Sequence, residues 1–119
     1  MKTGLIMIAV DAALVALELE LSLQELGLAT YSADSVANAI RFVHDQGLDF
    51  AIVDTRLGNE DTGDIAAHLV VKDVKFVMLD EGGNFEKQAG NGASHVLQKP
   101  VYASEIIDCV RRFLPAFAL

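Results

Sequence analysis

Five short apolar stretches, most of them followed by residues at helical spacing, set the plan of this chain. Leu5 to Val10, Phe50 to Val53 and Phe76 to Leu79 are continuous apolar runs of strand length. Such runs suit central strands of a parallel sheet, covered on both faces. Ala29 to Ser32 and His95 to Gln98 are shorter and more polar, and would complete a set of five. After Asp34, a candidate N-cap, Val36, Ala39, Ile40 and Val43 recur at i, i+3, i+4 and i+7, and the pattern stops at Gly47. Ile65 and Leu69 mark a shorter helix after the third run. Ile106, Ile107, Val110, Phe113 and Leu114 predict a last amphipathic helix, opened by Ser104 as N-cap and closed before Pro115. The stretch "NFEKQAGNGA" has only Phe85 and two alanines as apolar anchors, so the helix expected there is short and weak.

The first helical segment is ambiguous locally, because "ALELELSL" alternates as a strand would. Its residues are nevertheless good helix formers, and the segment runs unbroken from Ala12 to Leu26, which decides for helix. At about 100° per residue, Val15, Leu19, Leu23 and Leu26 gather on one face, while Leu14, Leu17 and Leu21 form a second apolar stripe. Single exposed leucines are common on protein surfaces. Three at helical spacing begin to make a patch, so this stripe is a candidate docking face for a partner.

The alternation of strands and helices predicts an α/β protein, a three-layer α/β/α sandwich around a flavodoxin-like, doubly wound parallel sheet of order 2-1-3-4-5. A chain of 119 residues with 52% hydrophobic content fits one domain, 1–119, with one core. No apolar run approaches the roughly 20 residues that span a bilayer. "MKTGLIMIAVD" lacks a cleavage pattern and reads as a first strand, not a signal peptide. The single Cys109 excludes an internal disulfide and a Cys-rich metal site, suits a reducing cytoplasm, and reads as helix packing. A formal net charge of -8 argues against nucleic-acid or acidic partners and favours a cation or a partner with a basic face.

In such a sheet, sites lie beyond the carboxyl ends of the strands. The first strand ends at Asp11, the third at Asp54 and the fourth at Asp80, and the fifth runs into Lys99 and Pro100. Three carboxylates and a lysine thus converge on one patch, although strand ends are polar turn positions in general. Crowded carboxylates repel unless a cation sits among them, and Mg²⁺ takes oxygen ligands of this kind. A carboxylate so placed can attack phosphorus and form an aspartyl-phosphate while metal and lysine neutralise the incoming oxygens. Asp54, at the end of the central strand, is the natural nucleophile. His44 and His68 read as solvent-facing helix positions and His95 as the entry to the last strand, so no histidine cluster is expected.

Over essentially the whole chain, "IMIAVDAALVAL", "DFAIVDTRLGNEDTG" and "GASHVLQKPV" resemble the CheY-like receiver domain of bacterial two-component response regulators. "VLQKP" and "DTRLGNEDTG" are similar to an alphaproteobacterial branch whose fourth strand ends in Phe-Ala-Thr-Gly. The resemblance implies that Asp54 is the phosphoacceptor, that Asp11, Asp54 and the backbone carbonyl of Arg56 hold Mg²⁺, and that Lys99 binds the phosphate. It also implies a cis Lys99–Pro100 bond, a non-enzymatic cytoplasmic signalling role, and a histidine kinase or histidine phosphotransfer protein docking on the first helix, where Leu14, Leu17 and Leu21 lie. The chain ends soon after the last helix, so unless it is a fragment no separate effector is expected and the expected output is binding.

Several positions depart from the family pattern. Val10 stands where receivers carry a second acid beside Asp11. Asp80 replaces the Thr or Ser that meets the phosphoryl group, Glu81 follows where a small residue is usual, and Val96 replaces the switching aromatic. An ionised carboxylate cannot donate to a phosphoryl oxygen and repels it. Asp80 either replaces the lost acid, as a third carboxylate or by pairing with Lys99, or belongs to a polar turn in a decayed site. The reading is an atypical receiver with weakened or absent phosphorylation; the alternative is a phosphorylation-independent interaction module. A phosphatase or flavin protein fits less well, because "DAALVA" has no Gly, Ser or Thr cluster to cradle a phosphate.

Overall fold

The computed structural model describes residues 4–82 and 92–114. Five parallel strands, β1 (Leu5–Ala9), β2 (Ala29–Ser32), β3 (Phe50–Asp54), β6 (Lys75–Asp80) and β7 (His95–Gln98), form one sheet of order β2-β1-β3-β6-β7. Counting only these strands along the chain, that is the expected 2-1-3-4-5 arrangement. The helices are α1 (Ala13–Glu25), α2 (Val36–Asp45), α3 (Gly63–Val71) and α4 (Ala103–Phe113). The weak helix expected at "NFEKQAGNGA" lies almost wholly outside the described residues.

Strand alternation divides the core into two layers. Met7, Ala9, Ala51, Val53, Phe76 and Met78 face α2 and α3, meeting Val36, Ala39, Val43, Ile65 and Leu69. Ile6, Ile8, Phe50, Ile52, Val77 and Leu79 face the other way, toward Leu19 and Leu23 of α1 and Ile106, Cys109 and Val110 of α4. Every residue of β3 is buried, as a strand covered on both faces must be. Cys109 packs as expected, and burial pushes its thiol pKa up.

The helix of the ambiguous segment forms almost as bounded, with Leu19 and Leu23 buried and Val15 and Leu26 packed against the same layer. It ends in a Schellman turn: Gly27 has φ +85, its N–H meets Gln24 O, and Leu28 N–H meets Leu23 O. Two caps differ from the sequence reading. α2 is capped by Ser35, whose Oγ accepts from Asn38 N at 3.1 Å, while Asp34 accepts from the Asn38 side chain. Either residue type caps well, and the backbone alone decides which one stands at the last extended position. α4 starts one residue before Ser104; the cap position is Tyr102, whose N–H is taken by Glu105 Oε2 at 2.9 Å.

A two-stranded hairpin, β4 (Arg56–Leu57) and β5 (Glu60–Asp61), was not expected from the sequence. Its signal was present: Gly58 and Asn59 form a two-residue loop with Gly58 at φ +64, the residue order that a II′ turn requires. Among the described residues, no helix is long and apolar enough to cross a membrane.

Candidate functional site

The carboxyl ends of β1, β3 and β6 and the residues after β7 open onto one cleft of about 420 Å³, lined by Asp11, Asp54, Arg56, Asp80, Glu81 and Lys99 among others. The convergence read from the strand ends is therefore realised in space. Asp54 is the last residue of β3 and is buried where it lines the cleft. Lys99 Nζ lies 2.7 Å from Asp54 Oδ2 and 3.3 Å from Glu81 Oε2. Burial works against the lysine's charge, but the hydrogen bonds and attraction of Asp54 and then Glu81 outweigh it and hold its pKa above the usual 10.5. The Lys99–Pro100 bond is cis.

The carboxylate that joins Asp54 on Lys99 is thus Glu81 and not Asp80, which corrects one of the two roles considered for Asp80. Asp80 is the last residue of β6 and is buried; its Oδ2 accepts from Gln98 Nε2 on the neighbouring strand at 3.2 Å. Glu81 lies one residue beyond the strand, exposed, where its side chain reaches the lysine. Val10 is buried in the layer beneath α1, and Val96 in the opposite layer.

Asp11 is exposed at the cleft mouth, and its Oδ1 accepts from Gly58 N–H at the hairpin tip, 2.8 Å away. The Arg56 side chain turns outward to Asn59 O at 2.6 Å. Among the described residues no group of three or more His, Cys, Asp or Glu side chains is arranged to hold a metal ion. Asp11 and Asp54 each bring a carboxylate to this cleft. This all-oxygen set fits Mg²⁺, which binds through one or two carboxylates and keeps several waters. The histidines take no part: His44 and His68 are exposed, and His68 Nδ1 meets Asp64 O on its own helix.

A second groove, about 440 Å³, reaches Asp54 and Lys99 from the side of α1 and is walled by Val10, Ala12, Val15, Leu79, Pro100 and Val101. Val10 is part of what makes that wall apolar. Along the same helix Leu14, Leu17 and Leu21 are 82%, 49% and 55% exposed, so the second stripe is uncovered in the monomer.

Solved structures share this architecture. A response regulator receiver protein from Sinorhizobium medicae superposes with a TM-score of 0.84 at 24% identity, covering 98% of each chain. The signal receiver domain of a Vibrio parahaemolyticus protein gives 0.86 at 16% identity, over 98% of this chain and 94% of its own. The receiver domain of a sensor histidine kinase from Pseudomonas aeruginosa, which holds a magnesium ion coordinated in its active-site cleft, gives 0.83 at 18% identity over 96% and 99%. No family model and no curated protein matches the sequence. At these identities the likeness establishes the fold: this chain has the flavodoxin-like fold of response-regulator receiver domains.

Proposed function

We propose that this chain is an atypical receiver of a two-component phosphorelay, taking a phosphoryl group onto Asp54 from a histidine kinase or histidine phosphotransfer protein. The observation that carries the reading is the buried Asp54 carboxylate at the end of the central strand with Lys99 Nζ 2.7 Å away, within the receiver fold. Asp54 Oδ would attack phosphorus as its bond to the donor nitrogen breaks, and Lys99 would exchange its contact with Asp54 for one with a phosphoryl oxygen. Mg²⁺, held by Asp11, Asp54 and the Arg56 carbonyl, would supply charge neutralisation at the transferred oxygens.

Phosphorylation is weakened in this reading. Asp80 and Glu81 add two carboxylates to a cleft that must admit a phosphoryl dianion, and Glu81 occupies part of the lysine's charge. The same contact favours a second reading, a phosphorylation-independent interaction module in which Glu81 stands in for the phosphate on Lys99. Incubation with Mg²⁺ and acetyl phosphate, read by intact mass beside Asp54→Asn, separates the two. A phosphate-sized gain absent from Asp54→Asn is the expected result; no gain in the wild type would sink the first reading.

The docking face proposed for the phosphodonor is the α1 stripe and the apolar groove beside it. Replacing Leu17 and Leu21 with serine removes two half-exposed apolar side chains without touching the core. It is expected to weaken binding of a cognate kinase by about tenfold, since an anchor at an interface is worth on the order of 1–2 kcal/mol. Equal affinities by calorimetry would remove α1 from the interface.

A further inference from the structure

We propose that Thr62 is a positioning residue for the phosphoacceptor, its hydroxyl holding the main chain of Asp54 from inside the β3–α3 connection. The inference rests on Asp54 being the phosphoacceptor and deepens that reading. Thr62 is fully buried, and its Oγ1 donates to the carbonyl oxygen of Asp54 at 2.5 Å. Its N–H donates to Thr55 O at 3.2 Å, so one residue ties the two successive peptides that follow Asp54.

The position makes this use of the hydroxyl telling. Thr62 is the N-cap residue of α3, where a threonine oxygen ordinarily accepts from a backbone N–H of the first turn. Here it makes no such bond. The helix start is served instead by Asp61 Oδ1, which accepts from Gly63 N–H at 2.7 Å, and the hydroxyl turns back to Asp54. Asp54 also lies one residue past Val53, where β1 and β3 last pair, so its main chain has left the β1 ladder while it still pairs with Leu79 of β6. Thr62 supplies a donor to the Asp54 carbonyl where pairing with β1 has ended.

Between Thr55 and Thr62 the chain forms the β4–β5 hairpin, whose tip gives Gly58 N–H to Asp11 Oδ1. The connection is therefore anchored at both ends of the cleft, to Asp54 at its base and to Asp11 at its tip. In a site with Val10 in place of an acid, fixed geometry of the two remaining carboxylates matters more. Released from Thr62, the Asp54 peptide can rotate, and the carboxylate moves off the line set by Lys99.

The test compares Thr62→Val, which keeps the shape and removes the hydroxyl, with Thr62→Ser, which keeps the hydroxyl. Phosphate gain from acetyl phosphate and Mg²⁺ is followed by intact mass. The Asp54 carboxyl ¹³C resonance is read in metal-free protein at pH 7, with circular dichroism to confirm folding. Thr62→Val should be phosphorylated about tenfold more slowly or worse, and Thr62→Ser should recover most of the rate, as expected for a misplaced nucleophile. The Asp54 resonance should move in the valine variant and stay in the serine variant. A folded Thr62→Val with the wild-type rate and resonance would overturn the proposal. If the wild type takes up no phosphate, the phosphorelay reading falls and Thr62 as a positioner of a phosphoacceptor falls with it; if it does take up phosphate, a resonance shift in Val but not Ser upholds the proposal and no shift overturns it.

Discussion

Lys99→Met is expected to lose detectable phosphate uptake and to destabilise the protein by about 2–3 kcal/mol. Removing one partner of a buried ion pair leaves the other uncompensated, a loss of roughly 3–5 kcal/mol for a fully buried pair. The value here is smaller because Lys99 is 30% exposed, whereas the Asp54 side chain is only 3% exposed. Methionine fills much of the lysine stem's volume in the groove that Leu79 and Val101 also line, so the effect reports charge more than packing. Urea unfolding should show a lower midpoint at unchanged slope. In the double variant Lys99→Met/Asp54→Asn most of the stability should return, since the orphaned carboxylate is gone.

The same pair sets an alkaline limit. The folded pKa of Lys99 is raised, so its contribution is complete below the unfolded lysine's value of about 10.4 and is lost as pH climbs through the raised folded value. The stability gap between wild type and Lys99→Met should hold steady from pH 7 to about 9 and narrow above about 10.5. A gap that narrows on acidification within the neutral range would contradict the assignment.

Asp80→Thr is expected to raise the rate of phosphate uptake about tenfold or more. Like charges lining one cleft repel, and a tenfold rate change requires only about 1.4 kcal/mol. Threonine also brings a hydroxyl that can donate to a phosphoryl oxygen, which an ionised carboxylate cannot do. Asp80→Ala separates the two contributions, because it removes the charge and adds no donor. Loss of the Asp80–Gln98 contact, 3.2 Å long and partly buried, should reduce stability only slightly. A slower rate in Asp80→Thr would reverse the interpretation and make Asp80 a working replacement for the acid missing at Val10.

Much of this molecule is written in one-dimensional patterns. The three central strands show as continuous apolar runs and the two outer ones as shorter, more polar stretches, and the sheet order follows from the alternation of elements. The α1 stripe is legible because 3.6-residue periodicity places Leu14, Leu17 and Leu21 away from Leu19 and Leu23, and their exposure agrees. Asp11, Asp54, Asp80 and Lys99 could be brought together from sequence because each ends or follows a parallel strand, and parallel strands bring their carboxyl ends to one edge. The hairpin at Gly58 and Asn59 was readable by the same logic, through a turn pair flanked by short extended residues.

What the sequence determined by itself is which residues reach the cleft; how they pair there was decided by tertiary structure. Asp80 and Glu81 are neighbours of the same chemistry, yet the sheet buries the first as the last residue of β6 and leaves the second exposed, so Glu81 meets Lys99 and Asp80 meets Gln98. Ser35, not Asp34, caps α2 because one backbone torsion places it at the helix boundary. Nothing in the sequence singles out Thr62, and only the folded connection turns its hydroxyl to Asp54. Hydrophobic burial has a period that sequence records, whereas a hydrogen bond depends on a few tenths of an ångström and a direction, which exist only once distant segments are packed.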